Sequence, residues 1–231
     1  PTTDINQDIS FELRNGVKWF GGFQGNETAL GQIDYELYSS VLSGDIGVQG
    51  DSLDNSHHVV YTISSDTTTI LDGFLIRDGR AIDPVTPTGS PRNFGGGLLI
   101  DAMENDSIAE PKILDCTFQN NLALYGGGIS FGKGYTNFHI NPDISNCYFY
   151  QNEAAKSGGA LSLVGGSNII EEFKIIEDCF FENNKASNHG GGVYLSELTN
   201  GCEFLRCDFI ENSSFEVNSF GGAISYYVEY Y

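Results

Sequence analysis

The chain has 231 residues, of which 31 are Asp or Glu and 11 are Lys or Arg, for a net charge of −20; 29 are Gly and 13% are aromatic. So few scattered cations cannot build the basic face that nucleic acid or an anionic membrane surface requires, and there is no apolar run long enough to span a bilayer. The aromatic content equally excludes a disordered polyanion.

In chain order, residues 1–70 are expected to form N-terminal coils carrying an inserted acidic loop. That loop, Ser43 to His58, holds Asp45, Asp51, Asp54 and Asn55 among Gly44, Gly47 and Gly50. Close-set oxygens on a Gly-rich loop suit Ca²⁺, the one cofactor the sequence suggests, although the spacing is not that of an EF-hand. The plain alternative is a solvated loop whose Asx side chains cap turns. His57 and His58 lead into Val59, Val60 and Tyr61, and alternation turns one of the two inward or into a groove.

Regular repeats fill residues 71–231. A degenerate copy, Leu71–Gly79, places Phe74, Ile76 and Gly79 where later copies have Cys, Phe and Asn. Residues 82–94, with Pro84, Pro87, Gly89 and Pro91, read as an inserted loop. Gly-Gly-(Gly/Ala)-aliphatic blocks then begin at Gly95, Gly126, Gly158, Gly190 and Gly221, in steps of 31, 32, 32 and 31 residues. In phase with them runs Cys-x-Phe-x-x-Asn. Its cysteines are Cys116, Cys147, Cys179 and Cys207; its phenylalanines are Phe118, Phe149, Phe181 and Phe209; its asparagines are Asn121, Asn152, Asn184 and Asn212. Two residues beyond each Asn stand Ala123, Ala154, Ala186 and Ser214.

Inside each motif the side-chain period is two, as at Ile129/Phe131 around Ser130, which predicts short half-buried strands. Equal short strands, each matching its counterpart one repeat away, stack in parallel. The expectation is therefore an all-β fold, a right-handed single-stranded parallel β-helix of pectate-lyase-like architecture. It has 31–32 residues per coil in the C-terminal half and a rise of about 4.8 Å per coil. Cys and Phe should point inward and stack on their own copies. Asn should stack at a corner, bonding the next coil on a backbone that tolerates the left-handed region. The glycines should mark bends where φ is positive or a Cβ would crowd the next coil.

The Gly-Gly-Ala-Ile and Phe-x-x-Asn pairing resembles the polymorphic outer-membrane protein repeat of bacterial surface proteins. Val17–Thr28, Val41–Ile46, Asp54–Val60 and Leu71–Ile76 are similar to the opening of a group of secreted right-handed β-helix proteins common in Bacteroidota. That resemblance implies export to the cell surface, of the kind associated with type IX secretion, and a scaffold or adhesin-like role rather than catalysis. It also implies that the rest of a longer rod is this chain's partner, since its last residues, Tyr226–Tyr231, read as an uncapped strand.

Five cysteines in an exported protein first suggest disulfides. Directly stacked positions, however, have Cβ atoms about 4.8 Å apart, beyond the ~3.8 Å a disulfide prefers, so a ladder of free thiols is expected. Cys202, out of phase, is the one candidate to pair with Cys207. On the outward face of the Cys strand, Tyr148, Tyr150 and Phe180 should cluster, and flat aromatic surface beside carboxylates and amides is what sugar rings stack on. Glycans or another surface protein are the expected partners. The alternative class is a carbohydrate-binding or polysaccharide-degrading β-helix, for which Arg77, Arg80 and Arg92 with Asp72, Asp78 and Asp83 form the best cluster. Sequons stand at Asn26, Asn105 and Asn212.

Overall fold

The computed structural model describes residues 6–102, 108–131, 139–164, 174–196, 202–216 and 219–227. They form a parallel β-solenoid of about five turns. No α-helix occurs among the described residues, only three single 3₁₀ turns at Leu30–Gln32, Ser52–Asp54 and Pro91–Asn93. Four main sheets take their strands from successive coils in a fixed order, the first coil lacking a strand in the last of them, and Ile108–Ala109 pairs with His139–Ile140 in a separate two-stranded sheet. The glycine sheet follows each Gly-Gly block and includes Leu98–Asp101, Ile129–Phe131, Leu161–Val164 and Val193–Ser196. Next comes an aliphatic sheet with Ile70–Asp72, Lys112–Leu114, Asp143–Ser145 and Lys174–Glu177. The cysteine sheet holds Phe74–Arg77, Thr117–Gln119, Tyr148–Tyr150, Phe180–Glu182 and Asp208–Ile210. A short alanine sheet, with Leu122–Tyr125 and Glu153–Ser157, closes the coil.

Register is one for one with the repeat, so every inward position meets its own copy. Phe118, Phe149, Phe181 and Phe209 pair in successive coils. Their rings stack almost parallel, with centroids 5.2, 4.7 and 4.7 Å apart. That is the strand spacing itself, so the sheet geometry sets the ring geometry. Ile76 and then Leu42 continue this row towards the N-terminal coils. A second row runs Trp19, Leu71, Ile113, Ile144, Ile176 and Phe204. Both rows belong to one continuous core.

The corner between the cysteine and alanine sheets is held by the asparagines. Asn121 donates through both its backbone N–H and its Nδ2 to Oδ1 of Asn152, at 3.1 and 3.0 Å. Asn152 does the same to Asn184, and Asn184 to Asn212. The second Nδ2 proton reaches back to the previous coil, from Asn152 to the Phe118 carbonyl at 2.8 Å and from Asn184 to that of Phe149 at 2.9 Å. Each inner amide thus fills two donors and two lone pairs, which a buried side chain needs.

Two expectations change in detail. The left-handed backbone falls not on the ladder asparagine but on the residue before it, Asp78, Asn120, Gln151, Asn183 and Glu211, with φ between 53° and 65°. A second such site precedes each cysteine, at Asp115, Asn146, Asp178 and Arg206. The ladder Asn must instead aim its amide along the stack. Nor are the glycine-sheet strands half-exposed, since Leu99, Ser130 and Ser162 on their outer row are fully buried. The first glycine of each block, at positive φ, folds back over that row. A Cβ on Gly126 would sit 2.9 Å from Cβ of Ser130. The second glycine answers to crowding alone, because a Cβ on Gly127 would lie 2.4 Å from the Glu153 carbonyl oxygen.

Gln151 holds the left-handed corner with a side chain that has no local reason to be there. Gln151→Gly should raise stability by about 0.5–1 kcal/mol in equilibrium denaturation, the relief of a left-handed strain of ~1–2 kcal/mol less the entropy of glycine.

Candidate functional site

The outer face of the cysteine sheet brings Tyr148, Tyr150 and Phe180 together. Parallel register sets Tyr148 beside Phe180 in the next coil, and the two-residue period sets Tyr150 on the same face as Tyr148. The tyrosine rings stack at 5.6 Å and 29°, and Phe180 meets Tyr148 edge-on at 6.5 Å and 88°. Phe180 is 48% exposed, and Ile210, opposite Glu182 in the next coil, is 46% exposed. Tyr148 donates its hydroxyl to Oε2 of Glu182 at 2.5 Å. Burial first, and that hydrogen bond second, push the phenol up to about 12. It therefore stays protonated and fixes the ring. The result is a rigid apolar patch with a carboxylate at its edge, suited to stacking a flat ring and binding its hydroxyls.

The acidic loop is organised differently. Asp45 accepts from the Gly50 N–H at 3.1 Å, Asp54 from that of Val48 at 2.7 Å and Asp51 from that of Leu53 at 3.0 Å, where it caps the 3₁₀ turn. Asn55 is buried and donates to the Asp78 carbonyl at 2.7 Å. Asp45, Asp51 and Asp54 thus each accept from a nearby backbone N–H, while Oδ1 of Asp54 and Oδ1 of Asn55 are buried with no hydrogen-bond partner among the described residues. Among the described residues no group of three His, Cys, Asp or Glu converges in a way that could hold a metal.

Both histidines are buried, beyond the one that alternation turns inward, and each lines a cleft. His58 is buried, its Nδ1 on the Gly95 carbonyl at 2.9 Å. Desolvation drops it to about 4. His57 places Nδ1 on the Arg80 carbonyl at 3.2 Å and lines a cleft beneath residues 82–86.

The Arg/Asp cluster does not form one centre. Arg77 pairs with Asp78 at 3.3 Å, Asp72 accepts from the Tyr35 hydroxyl at 2.7 Å, and Arg92 bridges Asp8 and Asp83. The five cysteines are free thiols. Cys147 and Cys207 donate to carbonyls of the previous coil at 3.4 Å. Burial pushes Cys116 up to about 12, the behaviour of a packing group and not of a nucleophile. Of the sequons, Asn26 is exposed, Asn212 is bound into the ladder, and Asn105 lies outside the described residues.

With this geometry in view, residues 178–196 match the Chlamydia polymorphic membrane protein repeat. The matched stretch runs from the left-handed Asp178 through Cys179, Phe181, Asn184 and the Gly190–Gly192 block. It is one full corner-to-corner unit of the solenoid. No curated protein and no solved structure matches the chain. The chain is a β-helix with polymorphic-membrane-protein-like repeats, and the repeat points to a surface or outer-membrane-type scaffold.

Two predictions follow from the loop and the histidine. A chelator should leave the thermal midpoint unchanged, because the loop carboxylates already have N–H partners; a drop of several degrees would restore a metal there. His58 has a folded pKa below its unfolded value, so its contribution is complete above about pH 6.5 and is lost as pH falls towards 4. His58→Gln, which can keep the bond to Gly95, should flatten that part of the stability–pH curve relative to wild type.

Proposed function

We propose that this chain is a non-catalytic scaffold of an exported surface protein, and that its Tyr148–Tyr150–Phe180 patch contacts glycans. The observation that carries the reading is the patch itself, an exposed aromatic surface fixed by parallel register and edged by Glu182. The repeat match supports a surface setting. The regularity of the interior supports display, because the repeated polar side chains, the asparagines, serve coil-to-coil bonding. The Arg and Asp side chains that a lyase or hydrolase would gather are dispersed in separate pairs.

A glycan array should show binding to neutral sugars, with Phe180→Ala and Tyr150→Ser each weakening it about tenfold, the ~1.4 kcal/mol scale of an aromatic stacking contact. Both variants should keep the wild-type thermal midpoint. Turnover of an acidic polysaccharide, lost on Asp78→Asn, would instead establish the enzyme class.

A further inference from the structure

The inserted loop 82–94 builds a second surface unrelated to the aromatic patch. Asn93 ties the loop to itself, accepting from the Asp83 N–H at 3.0 Å and donating to the Pro87 carbonyl at 3.0 Å. Arg92 bridges Asp83 to Asp8 and so fastens the loop to the N-terminal segment. Beneath it lies a cleft of about 580 Å³, lined by Arg80, His57, Arg92, Asp83, Thr86 and Pro84 among others. That volume accommodates one or two sugar rings.

Three observations give this cleft a chemistry. First, of the two arginines that line it, Arg92 is answered by Asp83 and Asp8 and Arg80 is not, whereas two other clefts, around Lys112 and around His58, hold more Asp and Glu than Lys and Arg. On a chain of net charge −20 the unanswered Arg80 is the charge an anion entering this cleft would meet. Second, Arg80 is half-buried, yet among the described residues its guanidinium meets only the Ile82 carbonyl, at 3.2 Å, and no carboxylate lies in ion-pair range. A planar fork with most of its donors open is matched to a carboxylate. Third, His57 is only 6% exposed and its Nδ1 faces a carbonyl. A carbonyl only accepts, so the neutral ring carries its proton on Nδ1 and leaves Nε2 as an acceptor. An acceptor beside a cation asks for a ligand bearing both a carboxylate and hydroxyls.

We propose that this cleft binds a hexuronate, its carboxylate on Arg80 and a ring hydroxyl on Nε2 of His57. An acidic peptide offers a carboxylate and an N–H donor without the rigid ring that fixes their spacing, so the dipeptide is the competing ligand in the test.

The test titrates the full chain with galacturonate, glucuronate, their neutral parent sugars and a Glu-containing dipeptide, following backbone amide shifts and heat of binding. Uronates should move the amides of His57, Arg80 and Thr86 saturably, while the neutral sugars leave them unmoved. Arg80→Gln should weaken the uronate at least tenfold at an unchanged thermal midpoint, and Arg80→Lys, which keeps charge but not the fork, should weaken it less. Arg14→Gln, on an exposed arginine paired with Glu12, should have no effect. The proposal is overturned by absence of uronate binding, by equal response to neutral sugars, by preference for the dipeptide, or by undiminished affinity in Arg80→Gln. If Arg80→Gln does not fold, the wild-type shift map decides, and shifts confined to the cysteine-sheet face contradict the proposal.

Discussion

Parallel, in-register stacking forces each side chain of this molecule to lie beside its own copy at the spacing of a β-sheet. Only residues compatible with themselves at that distance can repeat inside. Phe satisfies this by offset stacking, Ile and Leu by packing, and Cys as a small buried hydrophobe. Asn is the polar solution, because one amide carries both donors and acceptors and can bond a copy of itself above and below. Asp in the same place would stack like charges and could not donate. Charge is therefore confined to outward rows and arranged in opposites, as where Lys112 lies 3.7 Å from Asp143 and Arg206 sits over Asp178 and Glu177.

The same constraint shapes what the surface can do. A rigid core leaves the outward rows free to vary, and the row Thr117, Tyr148, Phe180, Asp208 does so from one coil to the next. An aromatic patch on such a row needs no loop to hold it. Cleft-building falls to the insertions, chiefly residues 82–94, where the repeat is interrupted and side chains no longer meet copies of themselves. Regular coils give platforms and interruptions give recesses, and the two proposed ligand surfaces follow that division.

Much of this was legible in the sequence because a repeat fixes register. Once Cys116, Phe118 and Asn121 recur in phase, the pairing of Phe118 with Phe149 and the contact of Tyr148 with Phe180 follow from strand geometry. Details set by three-dimensional crowding were not legible. The left-handed φ at Gln151 and Glu211 has no composition signal, since neither residue favours it. The burial of Ser130 and Ser162 depends on how the Gly126 and Gly158 corners fold back. In the acidic loop, spacing does not give the separate backbone N–H groups that Asp45, Asp51 and Asp54 meet. The cleft around Arg80 was partly visible as a cluster of arginines, but which of them lacked an acid depended on the path of the inserted loop.

The central claim is that the asparagine ladder, and not the aromatic stack alone, locks successive coils together. Equilibrium denaturation of Asn152→Ala tests it most directly. The substitution orphans the backbone N–H of Asn121 and one of its two Nδ2 protons, and takes one donor each from the Phe118 carbonyl and from Oδ1 of Asn184, which keeps the backbone N–H of residue 152. At about 1–3 kcal/mol per buried unsatisfied group, the two orphaned donors set the expected loss at no less than about 2 kcal/mol. A loss below about 1 kcal/mol, the scale of an ordinary surface substitution, would contradict it.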